Sequence, residues 1–430
     1  MDASGTCENQ TLHPSLLIRA NMRILAITNQ YPNAGQPHRA THNRQHFRAL
    51  ARYHQLHVVA PIAWLDERRA VRSGADSVPK DRRSELDGIS VEYPRYYYPP
   101  GVLRSTYGHC LNWSIRSCVD RVAAEFDPDI ILGSWAYPDG FAAVRLARRL
   151  NIPAAVHVLG SDLNLLNRYR SRRRATWKTL HAAQGIITSS RDLADKVVAH
   201  GIERPRVTVV YRGVDCDRFC PGSQSQARLE LGLADLDPVL LFVGNLVPVK
   251  AVDILISACA KLVSQFPRMK CHIIGDGPLR QQLEAQARTL SISPVIRFQG
   301  TVPHNELPAW YRAANLLVLP SLAEGVPNVL RESIACGIPY VASATGGIPE
   351  ISNHSACTLV PPGKSSALAD AIADRLRGAR TLVDAGMITD SWDEAGRKLG
   401  QVLESIQRSG RRSIAGYKSN RNETHDQCAA

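Results

Sequence analysis

The sequence predicts an α/β protein of two doubly wound parallel sheets that meet across a cleft. Three observations predict it. Short apolar strands alternate with helix-length segments twice over, across residues 22–213 and again across 239–390. Residues 214–238, with Pro221 and Gly222, interrupt the alternation as a hinge would. Several strands also end in glycine-bearing turns, which places ligand groups at the carboxyl ends of the strands. At 430 residues the chain is long for a single core.

In the first set, 23–28 reads as a strand, followed by the turn 29–35, a helix over 41–53 and a strand over 56–60. Residues 64–104 mix charge with a tyrosine-rich run and read as a loop insertion over the scaffold. Strands are expected at 130–132, 154–158, 185–188 and 207–210, with helices over 140–150 and 191–200. In the second set, strands are expected at 239–243, 271–274, 295–299, 316–319, 340–342 and 358–360. The helix after the first of these lines up Leu255, Cys259, Leu262, Val263 and Phe266 on one buried face. Residues 364–408 read as helices. Residues 1–21 and 409–430 are polar and aperiodic and read as disordered ends; Met22 could serve as an alternative start.

Composition narrows the function classes. The net charge of +13 favours anionic partners without choosing among nucleic acid, anionic lipid and a nucleotide. No nucleic-acid fold signature accompanies it. No apolar run approaches the roughly 18 residues of a membrane-spanning helix, and the N-terminal apolar patch is too short for a signal peptide, so a cytoplasmic location is expected. The ten cysteines form no C-x-x-C pair and read as free thiols rather than a zinc site. No D-x-D pair stands where it would bind a metal; Asp127-Pro-Asp129 is a turn before a strand.

Residues 320–339 carry the strongest signal. An apolar strand ends, the chain turns through Gly325 and Pro327, and a short helix runs to Gly337 with Pro339 beyond. Glu324 then sits in the loop at a strand's carboxyl end, and Glu332 about one turn into the helix, both able to face one crevice. The helix start offers free N–H groups to a phosphate. Ionised carboxylates accept hydrogen bonds only, so the pair suits hydroxyl-rich partners such as a ribose and a hexose.

This stretch resembles the E-x7-E motif of the family-4 glycosyltransferases of GT-B fold, and the resemblance extends over about residues 22–408. It implies two Rossmann-like domains: an acceptor-side domain at 22–213, and a nucleotide-sugar-binding domain at 239–390. A helix at 391–408 would cross back to the first domain. It implies a retaining, metal-independent hexosyl transfer from a nucleoside diphosphate sugar to a glycan or lipid-linked acceptor, in polysaccharide or cell-envelope biosynthesis, with no cofactor.

Residue by residue, the resemblance puts Glu332 on the ribose and Glu324 on the sugar. His157, in His157-Val-Leu-Gly-Ser-Asp162, would contact the sugar from the other domain. Lys250 would meet the diphosphate from Val243-Gly-Asn-Leu-Val-Pro-Val-Lys250. Gly244, Asn245, Gly275, Asp276, Val302, Gly325, Val326, Pro327, Asn328 and Val329 complete the donor side, and Gly35 and Asp162 the acceptor side. The chain departs from the pattern in three places. Asn245 stands where many members have a second cation, Ala251 replaces a Gly, and Arg212 replaces the usual Asn. Arg168, Arg170, Arg172, Arg173, Arg174 and Lys178 form a run without acids, either a solvated helix face or a patch for anionic lipid. Two rivals fit the same pattern: a nucleotide-sugar epimerase, and a non-catalytic protein that binds sugar nucleotide or membrane.

Overall fold

The computed structural model describes residues 22–426, apart from 38, 75–79, 165–169, 235–236, 353, 356 and 379–389. Strands β1 (Arg23–Ile27), β2 (Gln55–Val59), β3 (Ile62–Ala63), β4 (Arg83–Leu86), β5 (Ile89–Glu92) and β6 (Arg95–Tyr96) come first. β7 (Ile130–Ser134), β8 (Ala154–Val158), β9 (Gly185–Thr188) and β10 (Val207–Val209) complete that half. The second half holds β11 (Val239–Val243), β12 (Lys270–Ile274), β13 (Ile296–Gly300), β14 (Leu316–Leu319), β15 (Tyr340–Ser343) and β16 (Cys357–Val360).

Helices α1 (Thr41–Leu50), α2 (Trp64–Arg72), α3 (Tyr107–Phe126), α4 (Phe141–Leu150), α5 (Ser161–Asn164), α6 (Arg170–Ala182) and α7 (Arg191–Ala199) belong to the first half. The rest are α8 (Gln224–Glu230), α9 (Val252–Leu262), α10 (Arg280–Thr289), α11 (Leu307–Ala313), α12 (Asn328–Ala335), α13 (Ser365–Arg377) and α14 (Trp392–Asp426).

The first sheet runs β10-β9-β8-β7-β1-β2-β5-β4, and the second β13-β12-β11-β14-β15-β16. Every pairing in both is parallel except β4 with β5. Strand order reverses at β1 in one sheet and at β11 in the other, which opens a crevice at the carboxyl ends of each. The central strands are near-continuous apolar runs because helices cover both faces. These sheets are the two Rossmann-like domains of a GT-B fold.

The chain passes between the domains twice, and the two crossings touch. Val214 N–H donates to the Asp390 carbonyl and Trp392 N–H to the Val214 carbonyl, at 3.1 and 3.2 Å. Gly213 leaves no room for a Cβ against the Trp392 backbone. α14 then lies on the first domain. Gly396 packs on Ala49 of α1, Ile406 fills the space over Gly185, and Asp393 accepts from Arg52 and Tyr53.

Two expectations need correcting. Residues 64–104 are more than a loop: they supply α2, the strand β5 and the edge strand β4. Their polar sequence hid this, because only Ile89 and Val91 of β5 turn into the core. α14 also runs on to Asp426 through the segment expected to be disordered. It is tied down by Arg411, whose guanidinium lies 2.6 Å from Asp129 Oδ1. The expectation for 1–21 lies outside the described residues.

Candidate functional site

The second domain brings β11, β12 and β14 side by side, so their carboxyl-end loops converge. Lys250 closes the 3-10 turn after β11, and Glu324 occupies the loop between β14 and α12. Their Nζ and Oε1 lie 2.5 Å apart, and both side chains are mostly buried. Gly346 lies against the Glu324 carbonyl at φ +55°, where a Cβ would collide, so the β15 turn fixes the Glu324 loop. Gly275, at φ +132°, meets the Gly244 carbonyl with no room for a Cβ, and this glycine contact lets the β11 and β12 loops interlock.

α12 begins at Asn328 behind Pro327, with no side chain capping its first amides. Those N–H groups and the positive dipole end face the loop that holds Glu324. Asn328 Oδ1 is buried without a partner. Glu332 lies one turn in and is buried. Tyr311 OH donates to its Oε2 at 2.8 Å, and His304 Nε2 lies 3.1 Å from Oε1. Burial and the Glu332 carboxylate hold the Tyr311 hydroxyl far above its ordinary pKa, so it remains a donor. α11 and the loop before it thus orient Glu332.

His157 stands near the end of β8, fully buried, with its Nε2 unpartnered. Its ring lies 5.5 Å from that of His46 of α1. Burial first, then His46, Arg212 and His42, pushes its pKa well below the ordinary value, so the ring is neutral. Asp162 is buried. Its carboxylate accepts from Gly160 N and Leu159 N with Oδ1 and from Ala136 N with Oδ2, and so shapes the loop after His157. Burial raises its pKa against those donors. The two domains meet here: a Cβ at Gly160 would lie 3.7 Å from the Gly325 backbone.

Other expected residues fall into place less directly. Val302 and Val329 pack half-buried against the second core, and Val326 is buried. Asn245 is exposed, and Asp276 Oδ1 accepts from Gly277 N. Gly35 lines a separate groove of about 440 Å³ with Asn33, Asp66 and Arg95. In the basic run, Arg168 lies outside the described residues. Arg172 turns inward over the Tyr137 ring at 5.9 Å, away from any surface patch. Arg170, Arg173, Arg174 and Lys178 line a groove of about 840 Å³ with His109, Phe141, Arg145 and Trp177. Among the described residues, no group of three or more His, Cys, Asp or Glu is placed to hold a metal.

Sequence reasoning missed Glu350 as a link between domains. From the turn after β15, its carboxylate accepts from Arg191 N and Asp192 N at the start of α7, at 2.7 and 2.8 Å. It also accepts from Tyr211 OH at 2.7 Å. The turn at residues 346–350 was the only signal in the sequence.

Residues 40–218 match the model "Glycosyltransferase Family 4", and residues 223–387 match "Glycosyl transferases group 1". D-inositol 3-phosphate glycosyltransferase 2 of Catenulispora acidiphila is 35% identical over 49% of this chain and 52% of its own length. D-inositol 3-phosphate glycosyltransferase of Frankia alni is 33% identical over 57% of this chain and 65% of its own. The matched stretch thus spans less than two thirds of either relative. Among solved structures, Anabaena HepE in complex with UDP superposes with a TM-score of 0.66 at 18% identity, over 92% of this chain and 100% of that one. Sucrose-phosphate synthase of Thermosynechococcus elongatus gives 0.67 at 19%, over 94% and 100%. Each half of the chain thus matches a glycosyltransferase domain, and the two facing Rossmann-like sheets have the GT-B fold.

Proposed function

We propose that the chain is a retaining glycosyltransferase that needs no divalent metal. It moves a hexose from a nucleoside diphosphate sugar to a glycan or lipid-linked acceptor in polysaccharide or cell-envelope biosynthesis. The observation that carries this is the convergence of Lys250, Glu324, Glu332 and the uncapped start of α12 around one crevice. The donor class is supported by HepE, whose structures hold UDP and UDP-glucose. Glu332, steadied by Tyr311 and His304, takes ribose hydroxyls. Glu324 orients the sugar and gives up Lys250 to the diphosphate. His157, neutral, offers a hydrogen bond to the sugar from the first domain.

As the anomeric C–O bond breaks, negative charge gathers on the leaving diphosphate. Lys250 and the α12 amides are already in place to meet it, which makes them the largest catalytic contribution. The acceptor oxygen attacks from the face the diphosphate leaves, and its proton balances the charge on the departing oxygen. Product analysis with candidate donors and acceptors tests the reading. A new glycoside of unchanged anomeric configuration supports it. An epimerised sugar nucleotide points to the epimerase rival, and bound but unaltered donor to the non-catalytic one.

The exposed basic groove supports a peripheral membrane contact in the same reading. Trp113 is exposed one turn beyond His109 on α3. Leu103 is exposed just before the 3-10 turn Arg104–Thr106, which packs near α6. Cations beside exposed apolar side chains fit an anionic bilayer, each cation adding about 1 kcal/mol. Neutralising Arg170, Arg173, Arg174 and Lys178 should reduce binding to anionic vesicles. Equal binding to neutral vesicles would remove the groove from this role.

A further inference from the structure

Arg331 follows Leu330 on α12 and is 2% exposed. Its guanidinium makes no hydrogen bond or ion pair among the described residues, and Nη1 is buried without a partner. A buried guanidinium keeps its charge and needs acceptors, so this arrangement asks for an anion. Arg212, half-buried just beyond β10, likewise has no hydrogen bond among the described residues. Burial first, and then the Arg331 charge, pushes Arg212 down to about 10 against the pull of Asp162. Burial likewise pushes Arg331 down to about 10. Both remain cations at neutral pH.

The neighbours reinforce the pattern. His46 and His157 lie edge to face at 5.5 Å, each with a buried, unpartnered Nε2, and Arg212 bears on both and on His42. Three acids face the group, and each is engaged elsewhere. Asp162 is held by backbone amides, Glu332 by Tyr311 and His304, and Asp390 by Lys398 at 2.7 Å. The charges that bear on Arg331 come from Asp390, Cys216, Tyr211 and Glu332, on the hinge side of α12. Lys250 is not among them; it is paired with Glu324.

We propose that Arg212 and Arg331, with the free imidazole edge of His46, form a subsite at the hinge side of the cleft for a phosphate-like oxyanion carried by the acceptor. This rests on the donor reading above, which assigns the diphosphate to Lys250 and the α12 start. Arg212 stands where the family pattern has Asn, so the subsite would set the acceptor preference of this chain in particular.

The test is calorimetric, on the full chain. UDP is titrated into wild type, Arg212→Asn and Arg331→Met, and inorganic phosphate is then titrated into each UDP-saturated protein. Melting curves show whether each variant folds. The proposal expects phosphate to bind UDP-loaded wild type, at least tenfold weaker binding in both variants, and UDP affinity within about twofold of wild type. Parallel loss of UDP and phosphate binding would place the arginines in the diphosphate clamp and overturn it. So would failure of UDP-loaded wild type to bind phosphate. If neither UDP, GDP nor ADP binds wild type, the donor reading fails instead, and phosphate titrated into the free proteins still decides the subsite by the same tenfold loss. Should Arg331→Met not fold, half-buried Arg212→Asn decides alone.

Discussion

Lys250 Nζ lies 2.5 Å from Glu324 Oε1, so two groups that the proposed mechanism gives separate tasks neutralise each other across 74 residues of sequence. A donor that binds here must part them. The diphosphate would take the ammonium and the sugar hydroxyls the carboxylate. Lys250→Ala is expected to lower turnover by roughly 100-fold or more, the scale of one lost transition-state donor. Glu324→Gln should lower turnover while leaving nucleoside diphosphate affinity intact. Steady-state rates beside calorimetric UDP or GDP affinities check both. A Glu324→Gln variant that loses affinity in step with rate would contradict the division of roles.

Glu332→Ala should weaken donor nucleotide binding by about 1.5–3 kcal/mol, the worth of a hydrogen bond to a charged group. It also leaves Tyr311 OH buried without its acceptor, so a lower melting temperature is expected alongside. Tyr311→Phe separates the two effects: it should cost affinity through a looser Glu332 while keeping the carboxylate. Unchanged affinity in folded Glu332→Ala would remove Glu332 from the site.

Glu350 spans the domains by placing its carboxylate on the start of α7. A carboxylate at a partly buried helix N-terminus contributes up to about 2 kcal/mol. Glu350→Gln should therefore favour an open arrangement, seen as a larger radius of gyration in X-ray scattering and a raised KM. An unchanged scattering curve and unchanged kinetics would show that the contact carries no closure energy.

The histidine cluster predicts acid sensitivity. Burial, with help from Arg212, pushes His46 down to about 3, while the unfolded chain has an ordinary imidazole near 6.5. Between those values the unfolded chain binds more protons than the folded one, so the stability this site supports is lost as pH falls below about 6.5. The limiting slope is about 1.4 kcal/mol per pH unit for one such site. Asp139 runs the other way. Burial raises it to about 8, and its contribution is lost as pH rises from the ordinary carboxylate range through 8. Comparing wild type with His46→Gln cancels the Asp139 contribution. The variant should show a shallower decline in denaturant-measured stability between pH 6.5 and 4; parallel curves would refute the assignment.

EDTA should leave turnover nearly intact, because the proposed mechanism draws the positive charge for the leaving group from Lys250 and the α12 amides. Activity abolished by EDTA and restored by magnesium or manganese would overturn this.

Much of the scaffold was legible, because buried parallel strands write themselves as short apolar runs and each ends at a turn. The placement of Glu324 in a loop and of Glu332 on a helix was legible for the same reason: a strand, a turn and a helix stop frame them within 20 residues. What the sequence hid lies in contacts between distant segments. His304 and Tyr311 reach Glu332 from a loop and helix 28 and 21 residues upstream, with no local pattern to mark them. No local pattern marks Arg331 as a buried position. β4 and β5, the last two strands on one side of the first sheet, were missed because their mostly polar sequence lacks the apolar run that marks central strands. Arg172 looked like part of a basic surface, but its helix register turns it onto Tyr137.

The central claim is that this crevice binds a nucleoside diphosphate sugar through Lys250 and Glu332. A calorimetric screen of UDP-, GDP- and ADP-sugars against wild type, Lys250→Ala and Glu332→Ala tests it most directly. The account predicts that at least one donor binds wild type and that each substitution weakens it at least tenfold in folded protein; a donor bound equally well by all three, or no donor bound at all, would contradict it.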